Sequence, residues 1–154
     1  MITLIAAMDE ERVIGYKGSI PWHIKEDLQH FKEATLNKPV IMGRKTYESL
    51  KGPLSDRLNI VVSSNPNYLQ EHPEVRVIQD LESFLKRIQK EEAEYMIIGG
   101  ASIYQESLPY ADKIILSLIK GKHDGDTFFP EFESSFKLES QILKGDFSVL
   151  IYKR

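Results

Sequence analysis

The sequence predicts an α/β fold: a single domain with a central, mostly parallel sheet of roughly eight strands, helices on both faces and an antiparallel C-terminal hairpin. Three features predict it. Apolar runs alternate with segments of helical periodicity along most of the chain. Some of those runs, such as the one within Leu58–Ser63, are continuously apolar, as in strands covered on both faces. After Phe128 the alternation stops, and two strand-like segments flank one turn.

In order along the chain, Ile2–Met8 reads as a first strand, followed by a loop from Asp9 to about His23. Lys25–Thr35 reads as a helix, Pro39–Met42 as a short buried strand and Arg44–Leu50 as a second helix. Leu58–Ser63 is a strand that stops at the turn-forming Ser64-Asn65-Pro66-Asn67. Val75–Ile78 is a short strand. Leu81–Glu92 is a helix with Leu81, Phe84, Leu85 and Ile88 on one face. Tyr95–Ile98 is a strand, a helix follows Gly99-Gly100 and ends before Pro109, and Lys113–Ile119 is a strand. Phe136–Leu143 and Phe147–Tyr152 form a hairpin around Lys144-Gly145-Asp146. No linker, repeat or low-complexity stretch divides residues 1–154, so one domain is expected over the whole of them.

Composition narrows the chemistry. With 42% hydrophobic and 28% charged residues, the chain has a sizeable core and a solvated surface. It holds no cysteine, which excludes disulfides, zinc-thiolate sites and thiol nucleophiles. Its four histidines, His23, His30, His72 and His123, lack a metal-ligand spacing, so no metal is expected. A net charge of -3 gives no reason to expect nucleic acid or an anionic membrane as a partner. The apolar start lacks a basic leader and is too short for a signal or membrane span, so a cytoplasmic protein is expected.

Three constellations carry chemistry. On the first helix, Ile24, Leu28, Phe31, Ala34 and Thr35 share one stripe, and Asp27 falls inside it. That carboxylate either caps the first helical turn or sits at the bottom of an apolar pocket, where it could grip an N–C–NH2 edge and influence proton transfer. Gly43-Arg44-Lys45-Thr46 joins a buried strand to a helix start with two cations, a place for phosphate or for two solvated side chains. Gly99-Gly100-Ala101-Ser102-Ile103-Tyr104 joins a strand to a helix through paired glycines, which either cradle a pyrophosphate or pack tightly. It is not a G-x-G-x-x-G fingerprint, so an ordinary Rossmann site is disfavoured. The loop Arg12–Trp22 contains Gly15, Gly18 and Pro21 and is long enough to serve function. Arg57 is a surface cation or a clamp for a ligand carboxylate.

Together these segments resemble the dihydrofolate reductase family, of the bacterial type. The matching pieces are Ile2–Ala7, Arg12-Val13-Ile14-Gly15, Pro21-Trp22, Asp27-Leu28 with Phe31-Lys32, Asn37–Arg44, Thr46 with Glu48-Ser49, Pro53-Leu54, Arg57, Ser63-Ser64, Ile98-Gly99-Gly100, Ile103-Tyr104 and Gly125-Asp126-Thr127 with Phe129-Pro130. They run in the family's order to about Pro130.

The resemblance implies a monomeric, NADPH-dependent reductase of 7,8-dihydrofolate that also binds antifolates. It implies that Asp27 binds the pterin's N3 and 2-amino group and assists protonation at N5. Trp22 and Ser117 would hold the network around Asp27, and Tyr104 would sit near the nicotinamide. Ile5, Ala6, Leu28, Phe31, Leu50, Leu54 and Ile98 would wall the substrate site, with Lys32 and Ser49 at its margin and Arg57 on the glutamate tail. For the cofactor it implies Ala7, Ile14, Gly15, Gly18, Ser19 and Ile20 near the nicotinamide half, with Gly43, Lys45, Thr46 and Gly100–Ile103 (Ala101 and Ser102 included) at the pyrophosphate. Arg44, Ser63 and Ser64 would meet the adenosine end. The Gly99–Gly100 bond is expected to be cis. The chain departs from common family residues at Ile20 for methionine, Ala101 for glycine, Ser102 for arginine, Ser117 for threonine, and Lys51-Gly52 where several relatives have Gly-Arg. A reductase of the same fold acting on a riboflavin-pathway pyrimidine is disfavoured by Asp27 and Arg57 together. A non-catalytic pterin- or nucleotide-binding protein is the alternative from another class.

Overall fold

The computed structural model describes all 154 residues. In chain order its elements are β1 (Ile2–Asp9), β2 (Val13–Gly15), α1 (Lys25–Thr35), β3 (Val40–Gly43), α2 (Arg44–Glu48), β4 (Asn59–Val62), α3 (Tyr68–Glu71), β5 (Arg76–Ile78), α4 (Leu81–Ile88), β6 (Tyr95–Gly99), α5 (Ala101–Ser107), β7 (Lys113–Ile119), β8 (Thr127–Phe128), β9 (Lys137–Leu143) and β10 (Phe147–Lys153). Eight strands form one sheet in the order β5-β4-β3-β6-β1-β7-β10-β9. Neighbours from β5 to β7 pair in parallel, and β10 runs antiparallel to both β7 and β9.

Continuous apolar strands make sense because both faces are covered. Alternate residues of each strand enter opposite layers. Leu4, Ile41, Ile60, Ile97 and Leu116 pack in one layer with α4 and α5, whereas Ile5, Met42, Val61, Met96 and Ile115 pack in the other with Tyr47 and Phe31 of the helices opposite. Helix α4 shows the local logic. The side chain of Asp80 caps it by accepting from Ser83 N at 3.1 Å. Leu81, Phe84, Leu85 and Ile88 are then buried along one face, each stabilising the fold by about 1.5–3 kcal/mol. The Met1 ammonium closes its far end, donating to the carbonyls of Ile88 (3.4 Å), Glu91 (2.6 Å) and Ala93 (3.0 Å). The helix therefore stops at Ile88 rather than at the expected Glu92.

Other departures are small elements. Within the expected loop, Val13–Gly15 pairs with Thr127–Phe128 as a separate antiparallel ribbon. A turn of helix, Tyr68–Glu71, follows Pro66, and α2 ends at Glu48 instead of Leu50.

The sheet also opens. Strands β1 and β6 pair only as far as Leu4↔Ile97, while β1 and β7 stay paired to Asp9↔Ile119. The register between β3 and β6 shifts between Ile41 and Met42. The carboxyl ends of β1 and β6 therefore separate where chain order along the sheet reverses, the usual position for a ligand in an open α/β sheet.

Candidate active site

A cleft of about 920 Å³ occupies that gap. Its floor is built from strand ends and the residues just after them: Ala7 of β1, Gly43 of β3, Val62 of β4 with Ser63 and Ser64 following it, and Ile98 and Gly99 of β6 with Gly100 following them. Helices α2 and α5 begin here, and neither Gly43 nor Gly100 caps its helix with a side chain, so the first N–H groups are left for another acceptor. Glycine at 43 follows from space, since a Cβ there would lie 3.1 Å from Ile103 Cγ1. The Gly99–Gly100 bond is cis. Arg44, Lys45, Thr46, Ala101, Ser102, Ile103 and Tyr104 complete this half. Arg44 is held by Glu48, whose two carboxylate oxygens each lie 3.1 Å from its Nη1. Across the cleft stand Ile14, Gly15, Gly18, Ser19 and Ile20. The tip of that loop is a tight turn, with Tyr16 N donating to Ser19 O at 2.7 Å and Ser19 N to Tyr16 O at 3.0 Å.

At the other end, Trp22, Asp27, Leu28, Ser49, Leu50 and Ile98 form a largely apolar wall. Asp27 is half-buried and caps nothing: the N-cap of α1 is Ile24, with no side-chain cap bond. The capping alternative is therefore not realised. Burial pushes the Asp27 carboxyl above the ordinary carboxylate range, with the Ser117 hydroxyl and then His30 pulling the other way. His30, one turn further along α1, is itself pushed down by burial, which favours its neutral form. Ser117 is buried on β7, in register with Ala7 of β1. Trp22 meets the His123 ring edge-on, with centroids 5.0 Å apart.

The Tyr104 ring lines the cleft, but its hydroxyl donates to Ile5 O at 2.8 Å in a buried setting. Burial raises its pKa well above the usual phenol value. Its proton is committed to the β1 carbonyl freed where β6 departs, which makes Tyr104 a brace rather than a proton source.

The Dihydrofolate reductase family model matches residues 1–146. The chain is 46% identical over 134 residues to "Dihydrofolate reductase type 3" of Salmonella typhimurium, covering 87% of this chain and 81% of that one. It is 43% identical over 141 residues to the dihydrofolate reductase of Bacillus subtilis, covering 91% and 82%. A solved structure of dihydrofolate reductase from Enterococcus faecalis, complexed with NADP(H) and RAB-propyl, superposes with a TM-score of 0.89 at 33% identity, over 100% of this chain and 96% of that one. The chain belongs to the dihydrofolate reductase family. Its activity is the NADPH-dependent reduction of 7,8-dihydrofolate to tetrahydrofolate.

For a dihydrofolate reductase, the remaining residues of interest are those outside the cleft lining. Ile5 is buried beneath it, and Phe31 and Leu54 pack against the same core layer as Trp22. Ala6 packs into the opposite layer, so its side chain is not part of the substrate wall. Lys32 lies exposed on α1. Arg57 is oriented by two bonds: its Nε donates to Ser55 O at 2.8 Å and its Nη1 to Thr35 Oγ1 at 3.0 Å. Neither partner is a carboxylate, so the guanidinium keeps its charge and its outer N–H groups for a ligand. Four lining residues escaped sequence reasoning: His23, Ile24, Val62 and Thr127. The first two flank segments already singled out. Thr127 lies in the Gly125-Asp126-Thr127 match and could have been found there, whereas Val62 carried no signal beyond that of a strand residue.

Proposed function

We propose that Asp27 is the carboxylate that holds the pterin ring and assists protonation of N5, and that the cleft's other half holds NADPH. The observation that carries this is one half-buried carboxylate, raised by burial, in an apolar wall at the end of a cleft whose opposite end offers uncapped helix starts and Arg44. The residues present fit the cofactor. Gly43, Lys45, Thr46 and Gly100–Ile103 suit the pyrophosphate, and Arg44, Ser63 and Ser64 suit the 2′-phosphorylated adenosine end. Ala7, Ile14, Gly15, Gly18, Ser19 and Ile20 suit the nicotinamide. When bound, NADPH supplies the hydride that reduces the pterin.

The protein's own part is binding, orientation and proton supply. Asp27 accepts from the N3 and 2-amino edge, and its raised pKa keeps a proton within reach of N5 through water. Leu28, Leu50 and Ile98 form the apolar wall, and Ile5, Phe31 and Leu54 back it, so that competing water is excluded. Arg57 takes the α-carboxylate of the glutamate tail through the N–H groups that Ser55 and Thr35 leave open. Trp22 and Ser117 hold the hydrogen-bonded surroundings of Asp27. Tyr104 supports β1 under the nicotinamide. Lys32 contributes only long-range charge to the tail, given its exposure.

The enzyme acts as a single-domain monomer over residues 1–154 in the cytoplasm and takes antifolates in the dihydrofolate site. No helix is long and apolar enough to cross a membrane, and the net charge of -3 gives no reason to expect nucleic acid as a partner. The pH profile of kcat/KM tests the role of Asp27. Activity falls as pH rises through its raised pKa, and Asp27→Asn abolishes that inflection. A wild-type profile without an inflection, or one that Asp27→Asn leaves in place, overturns the assignment.

A further inference from the structure

Asp9 lies outside the cleft, yet it is 0% exposed. A buried carboxylate is costly unless its lone pairs are filled. Here three backbone N–H donors and a ring nitrogen meet them. Oδ1 accepts from Glu11 N and Val13 N, both at 2.9 Å, and Oδ2 accepts from His123 N at 2.8 Å and contacts His123 Nδ1 at 3.1 Å. Burial alone would raise the pKa of Asp9, but the hydrogen bonds from Val13, His123 and Glu11 outweigh it and hold the carboxyl below its ordinary value.

The bonds to His123 join positions 114 residues apart. Apolar residues would serve stability as well or better, so a partly buried pair of this kind, its carboxylate enclosed and its imidazole partly exposed, is better suited to fixing geometry. What it fixes lies at both ends of one segment. Val13 opens β2, whose continuation Tyr16–Ile20 forms the loop over the cleft. His123 presents its ring edge to Trp22, which closes the same segment and also lines the cleft. Gly125 sits directly against the Val13 side chain, with no room for a Cβ, so the stretch that carries His123 is pressed onto β2.

We propose that the Asp9–His123 pair is a positioning device that holds both ends of the loop Tyr16–Trp22 and thereby sets how well the cleft closes over its ligands. Neither residue touches substrate or cofactor; both act through Val13 and Trp22. The inference rests on the reading above that NADPH occupies this cleft with its nicotinamide against Ile14–Ile20, while Trp22 stands beside Asp27.

The test uses the sole tryptophan, Trp22. His123→Phe keeps an aromatic edge on the indole and the backbone bond of residue 123 to Asp9 but removes the ring nitrogen from Asp9 Oδ2, and Asp9→Asn turns one accepting oxygen into a donor facing His123. NADPH is titrated by Trp22 quenching in the wild type, each single variant and the double variant, and kcat, KM and Tm are measured beside it. Losing one charge-assisted bond weakens NADPH binding about tenfold. The expected results are that weakening in His123→Phe, an altered apo emission spectrum, and a double variant no weaker than the worse single. Wild-type NADPH affinity and emission in His123→Phe overturn the proposal, whatever Tm does. If Asp9→Asn fails to fold, His123→Phe alone decides. If NADPH does not quench the wild type, the reading that seats NADPH in the cleft lined by Trp22 fails, and the inference with it.

Discussion

Replacing Tyr104 with phenylalanine removes one oxygen and leaves the ring against Phe129, whose centroid is 4.9 Å away. What is lost is the 2.8 Å bond to Ile5 O. That carbonyl lies just beyond Leu4, where the β1–β6 ladder ends, so β6 provides no replacement partner. An unpaired buried acceptor costs about 1–3 kcal/mol. Taking about 2 kcal/mol, and roughly 2–4 °C per kcal/mol for a domain of this size, Tm falls by about 5 °C. Because the hydroxyl proton is committed to Ile5, the variant keeps the wild-type pH profile above neutrality, and kcat changes by less than about tenfold. Thermal melts followed by circular dichroism, together with NADPH-consumption rates from pH 6 to 9, check both parts. A Tm within about 1 °C of wild type refutes the structural role. A lost alkaline inflection refutes the claim that Tyr104 is no proton source.

Arg57→Leu raises KM for dihydrofolate by about tenfold or more while leaving KM for a pterin without a glutamate tail unchanged; equal losses on both substrates contradict the clamp. Thr35→Val removes the oxygen that steers Arg57 Nη1, and it gives a smaller KM effect of the same selectivity in the same assay. Gly125→Ala forces Val13 and β2 to shift and lowers stability by about 2 kcal/mol, measured by urea unfolding. For Asp27 the folded pKa is raised, so its contribution to stability is present at low pH and lost as pH rises through that value. Asp27→Asn therefore melts above wild type at alkaline pH, and the difference closes as pH falls below the ordinary carboxylate value, as thermal melts across pH check.

Most of the sheet was legible because its strands are buried on both faces. Ile60-Val61-Val62 and Ile114-Ile115-Leu116 read as strands whichever layer each side chain enters. Asp27 stood out for the opposite reason, as a charge inside an apolar stripe. The ribbon of β2 and β8 escaped because strands of three and two residues carry no period, and their pairing of Val13 with Phe128 is set by the tertiary fold. The end of α4 was overrun because Gln89–Glu92 has no apolar mark, and the Met1 ammonium that closes the helix comes from the far end of the sequence. Leu28 was read as part of the apolar stripe, but it is 51% exposed at the cleft's edge. Resemblance puts Tyr104 beside the cofactor, but only the folded chain brings its hydroxyl onto Ile5 O, 99 residues away. Nothing in the sequence pairs Asp9 with His123.

Turnover by the purified protein, with Asp27→Asn measured beside it near neutral pH, reaches the core of the mechanism most directly. The wild type is expected to oxidise NADPH steadily in the presence of 7,8-dihydrofolate, and Asp27→Asn to lose about a hundredfold or more in kcat/KM while still quenching with NADPH. A wild type that binds both ligands without turnover, or an Asp27→Asn variant that matches its rate, contradicts it.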